Sequence, residues 1–61
     1  MSNIEAIDIA EGYRDAKDET EYIAAWQQLI DTGLAWSLQG WFGRMAMRMV
    51  ELGFCTLPEE S

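Results

Sequence analysis

The chain has 61 residues and a net charge of −7, from 11 acidic against 4 basic side chains, so it is long enough for one domain only, and its field opposes loose binding to nucleic-acid phosphates. One cysteine and no histidine exclude an intrachain disulfide and leave no ordinary ligand set for a structural metal. No basic segment precedes an apolar run at the start, and no apolar stretch approaches the length of a membrane span, so the expectation is a cytoplasmic protein without direct nucleic-acid or membrane contact.

In chain order, Ser2-Asn3-Ile4-Glu5 fits the capping box, in which the serine oxygen takes a first-turn amide and the glutamate reaches back to the cap. Ala6, Ile9, Ala10, Tyr13 and Ala16 then gather on one side of a helix expected over 4–17, which Gly12 weakens modestly. Asp18 with Glu21 repeats the cap logic. Tyr22, Ile23, Trp26, Leu29 and Ile30 follow at spacings that make a second amphipathic helix over 19–32, stopped by Gly33.

A third helical pattern runs over 34–52, with a break near Gly40 as the alternative, and Gly53 is placed to close it with Phe54 folding back on Met49. The fold expected is an all-α bundle of three helices, one domain over 1–55 with a flexible tail over 56–61. A domain this small has a thin core and draws support from a disulfide, a metal or association. With the first two excluded, self-association or a partner remains.

The third helix is unusual on a helical wheel. Leu34, Leu38, Trp41, Met45, Met49 and Leu52 form one apolar stripe suited to the core, while Trp36, Gly40, Gly43, Met47 and Val50 form another roughly opposite. Glycines inside a helix each cost about 1 kcal/mol relative to alanine, a cost accepted most often where another backbone comes close. Trp is a common interface anchor and Met an adaptable one. Trp36, Gly40, Gly43, Met47 and Val50, with Gln39 at the edge, are therefore the first candidate partner-binding face. The plainer account is that the glycines merely divide the segment into two short helices around one core. Trp26, in the middle of its stripe, reads as core.

The acidity lies in the N-terminal third. Asp8, Glu11, Asp15 and Asp18 recur at spacings of three and four and would line one face of the first helix, either as a solvated surface or as a row resembling phosphates that occupies a basic groove. They are the second candidate partner-binding face. Catalytic constellations are missing: there is no histidine, Cys55 has no neighbouring base, Ser37 has no partner, and no phosphate-binding or dinucleotide motif occurs. The expectation is a binding protein without catalytic or metal-binding residues and without a cofactor. Arg44 is expected to pair with Glu51 or with the neighbours of Arg48 on the polar sector, and Cys55 to act as a small, semi-buried apolar side chain.

Ala25-Trp26-Gln27-Gln28-Leu29-Ile30, followed by Asp31-Thr32-Gly33-Leu34-Ala35-Trp36-Ser37-Leu38-Gln39-Gly40-Trp41-Phe42-Gly43-Arg44, resembles the core of short orphan proteins encoded by bacteriophages and prophages. The likeness spans residues 25 to 54, about half of the chain, and carries over no catalytic residue. It implies a small acidic phage protein acting in a bacterial host cell on a host protein or protein complex, as an inhibitor or modulator of the anti-CRISPR kind, with a CRISPR effector as one such target. The competing expectation is a helical homo-oligomer joined through Gly40 and Gly43, with a structural or small-ligand-sequestering role. A nucleotide-holding version of it runs against the scarcity of basic residues.

Overall fold

The computed structural model describes residues 1–58, which fold into the helices α1 (Asn3–Glu11), α2 (Glu19–Asp31), α3 (Leu34–Ser37) and α4 (Gly40–Glu51), with no strand among the described residues. The all-helical expectation holds. The expected three helices become four because the third divides, and the first stops early.

α1 starts as its sequence dictates, with Ser2 extended and its Oγ accepting from the Glu5 amide at 3.1 Å. The return half of the box is absent, because the Glu5 carboxylate turns to Arg14 at 3.6 Å. The expectation of a helix to residue 17 is corrected by Gly12. Its φ of +86° is a left-handed conformation that a side chain resists, and the Tyr13 amide closes back on the Asp8 carbonyl at 2.9 Å. Gly12 thus ends the helix, and Tyr13, expected on the apolar face, is exposed.

α2 is capped by Asp18, whose carboxylate accepts from the Glu21 amide at 2.8 Å, while the Glu21 side chain accepts from the Lys17 amide at 3.1 Å. Its C-terminus is closed at Thr32 and Gly33, the latter at φ +82°. α1 lies against α2, tied by the Gln28 amide donating to the Asn3 side chain at 2.8 Å.

The division of the third expected helix falls at Leu38 and Gln39, where ψ values of −170° and 152° interrupt the helical path before Gly40 begins α4. α3 and α4 then pack separately on α2. α4 closes as its sequence predicts. Gly53 sits at φ +85°, and the Phe54 amide donates to the Met49 carbonyl at 2.9 Å in a Schellman arrangement.

The core is built around Trp26, which is 0% exposed, with Leu29, Ile30, Ile9, Phe42, Met49 and Cys55, and the alanines Ala6, Ala25, Ala35 and Ala46 fill the close approaches. Trp41 meets the Trp26 ring edge-on at 6.3 Å and stacks on Phe42 at 3.9 Å. The expected core stripe holds in part. Met49 is fully buried, Leu34, Leu38, Trp41 and Met45 are half-buried and packed against the core, and only Leu52 is exposed. Ala35, Phe42 and Ala46, which the stripe left out, are fully buried beside them.

Thr56, expected to begin a flexible tail, is held on both sides by the Gln27 side chain, which donates to its carbonyl at 2.8 Å and accepts from its amide at 2.9 Å. Leu57 is exposed, and residues 59–61 of that expected tail lie outside the described residues.

Candidate binding surfaces on the last helix

α4 has three working faces, and its sequence assigns each residue to one of them at about 100° per residue. Phe42, Ala46 and Met49 point into the core. Gly43, Met47 and Val50 form one flank, against which α3 is laid. Trp41, Arg44, Met45 and Arg48 form the other, beside α1 and α2.

The first flank carries most of the expected partner face. Trp36 is 46% exposed, and its ring lies along Gly43: a Cβ built on Gly43 would stand 3.6 Å from the indole and 3.6 Å from the Ala35 carbonyl oxygen. Gly43 therefore lets the chain's own α3 approach α4, a use of the glycine inside the molecule. Beside it Met47 is 38% exposed and Val50 is half-buried, so Trp36, Gly43, Met47 and Val50 form one continuous apolar strip.

Gly40 and Gln39 are placed differently from expectation. Gly40 opens α4, and a Cβ there would meet only the Arg44 guanidinium, at 3.2 Å. Gln39 is engaged internally, its side-chain oxygen accepting from the Trp41 indole N–H at 3.2 Å.

The second flank lines a cleft of about 500 Å³, together with Ala10 of α1 and Tyr22 and Trp26 of α2; from α4 come Trp41, Arg44, Met45, Arg48 and Glu51. Among the described residues the one ion pair is Arg14 with Glu5, so the expected pairing of Arg44 with Glu51 does not form. The Trp26 indole N–H is buried and has no hydrogen-bond acceptor. The spacing of Arg44 and Arg48 beside Trp41 and Met45 was the signal for this cleft in the sequence. The counterpart from α1 and α2 was not visible there.

The acidic residues do not form the single helical row expected of them. Asp8 and Glu11 belong to α1, Asp15 follows the Gly12 stop, and Asp18 is consumed as the cap of α2. The row assumed a helix that continues past residue 12. With that helix ended, the spacing of three and four residues no longer aligns the carboxylates.

Cys55 is buried, its thiol within 3.7 Å of the Ile23 carbonyl. Burial, and secondarily the negative charge of Asp31, push the thiol above its usual range, which opposes formation of a nucleophilic thiolate. Among the described residues no group of three acidic, cysteine or histidine side chains is arranged to hold a metal ion, and no helix is long and apolar enough to cross a membrane.

A family model described as a domain of unknown function, DUF7417, matches residues 1–60. No curated protein and no solved structure matches the chain.

Proposed function

Since the chain belongs to the DUF7417 family, whose description assigns no activity, we propose from its surface that it is a non-catalytic protein that binds another protein through the strip of Trp36, Gly43, Met47 and Val50. The observation that carries this reading is the half-exposed Trp36 ring, lying on a glycine and continued by the exposed Met47. A large aromatic side chain on a flat apolar strip is the usual form of an interface anchor, and Met adapts such a surface to its partner.

The partner in this proposal is a host protein or protein complex in the cytoplasm of a bacterium, which the chain inhibits or modulates. A defence assembly such as a CRISPR effector fits the phage-type resemblance of residues 25 to 54. The acids near the N-terminus, Asp8, Glu11, Asp15 and Asp18, act in it as a diffuse negative field that speeds encounter with a basic surface.

The tagged full chain is expected to retain a host protein in a stoichiometric complex that survives size-exclusion chromatography. Trp36→Ala and Met47→Glu are each expected to weaken that complex at least tenfold, with helical circular dichroism unchanged. Equal affinity in both variants, or no host protein retained, ends this reading. One observation favours self-association as the second reading: Leu52 and Phe54 are also exposed, so a second copy of the chain would find apolar surface on the same end of α4. Sedimentation separates the two, since a monomer at micromolar concentration removes the homo-oligomer.

A further inference from the structure

The cleft on the other flank of α4 is not used by the proposed protein interface, and its chemistry differs. Two of the chain's 4 basic side chains, Arg44 and Arg48, line it against one carboxylate, Glu51. In a protein of net charge −7, that makes it a local positive site in a negative molecule. Both guanidiniums are without an ion-pair partner among the described residues. Arg44 lies back over Gly40, whose missing side chain leaves the room for it.

The cleft is also lined by the aromatic and apolar side chains of Tyr22, Trp41 and Met45, with Trp26 lining it from a position closed off from solvent. Its volume of about 500 Å³ falls within the range of small-molecule sites. A second, independent sign is the indole N–H of Trp26. It is the one buried side-chain polar atom among the described residues without a partner, in a ring that lines this cleft, and such a donor ordinarily finds an acceptor.

We propose that this cleft binds a small planar ring compound carrying an oxyanion, a phosphate or a carboxylate. The guanidiniums of Arg44 and Arg48 hold the oxyanion through charge-assisted hydrogen bonds, for which their forked donors are suited. The ring rests against the partly exposed Trp41 indole, and a heteroatom of the ring meets the Trp26 N–H as the flexible Met45 side chain gives way. An acidic protein segment would satisfy the arginines but would leave the aromatic lining and the buried donor unanswered, so the small ring anion is the occupant that accounts for all three features.

The test is titration of the full chain with adenosine monophosphate and with indole-3-acetate, followed by calorimetry and by tryptophan fluorescence. A Trp36→Phe background restricts the optical signal to Trp26 and Trp41. Saturable binding of a ring anion is expected, with adenosine, indole and inorganic phosphate at least tenfold weaker. Binding of only one of the two probes identifies the oxyanion as phosphate or carboxylate. Arg44→Gln and Arg48→Gln are each expected to weaken binding at least tenfold while circular dichroism is unchanged, and Trp36→Ala to leave it intact. The proposal is overturned by absence of saturable binding for both probes, by equal binding of the uncharged rings, by unchanged affinity in both arginine variants, or by an aspartate-rich peptide binding more tightly than either probe. Because Trp36 and the arginines occupy different flanks, failure here leaves the protein-binding reading standing, and the converse also holds.

Discussion

Trp26 shows most directly how one residue organises this protein. Its ring is closed off from solvent, touches Trp41 and Phe42, and shares its core with Ala6, Ala25, Ala35 and Ala46. Truncation to alanine removes the largest buried side chain, and such changes cost about 3–5 kcal/mol. A domain of this size has a total stability of about 3–9 kcal/mol at the usual 0.05–0.15 kcal/mol per residue. Trp26→Ala is therefore expected to lower the urea midpoint severely or to leave the chain unfolded at 25 °C, read by circular dichroism. A midpoint close to that of the parent chain would mean that the core does not depend on the indole. The burial of Trp26 was legible from its place in the second helix's apolar stripe. The inward turn of Ala35 and Ala46 was not, because a wheel weighted toward large apolar side chains passes over small ones, and that of Phe42 was not, because the interruption at Leu38 and Gln39 resets the phase of the last helix.

At the scale of the element, stop and start signals had more authority than periodicity. Ser2 and Asp18 begin their helices as capping chemistry predicts, and Gly33 and Gly53 end theirs. Gly12 carries the same signal, yet the apolar spacing of Tyr13 and Ala16 suggested that the helix runs on. A left-handed glycine overrides spacing because the carbonyls it closes are satisfied at once, whereas Tyr13 would have had to find a core to bury against. The consequence for the acidic residues is testable. Asp18→Ala removes the cap of α2 and is expected to cost about 1 kcal/mol, while Asp15→Ala removes no hydrogen bond and is expected to stay within about 0.5 kcal/mol of the parent. Thermal unfolding of the two variants side by side measures the difference, and equal losses would contradict the capping role. Glycine chemistry also explains the candidate site. Gly43 was legible as a place of close approach, but what approaches it is Trp36 of the same chain.

For the whole molecule, the charge distribution sets the behaviour. A net charge of −7 on a chain of 61 residues, with a single ion pair among the described residues, means that like charges face each other with little compensation. Raising the ionic strength from about 0.01 M to 0.15 M shortens the screening length from about 30 Å to 8 Å. That second length is well below the 31 Å longest dimension of the fold, so a rise in the thermal midpoint with added sodium chloride is expected. A midpoint that falls over this range would show that attractive pairs, and not repulsion, dominate the surface.

By itself the sequence determined the helical class, the residues at which most helices begin and end, the buried place of Trp26, and the excess of negative charge. These follow from local chemistry: a cap, a glycine at positive φ and an apolar stripe each act within a few residues of themselves. Only the tertiary structure decided which side of the last helix is core, that the acids of the N-terminal third do not align, and that Arg44 and Arg48 share a cleft with Trp26. Each of these depends on how the helices are laid against one another around α2, and that arrangement is set by the fit of side chains across helices distant in sequence.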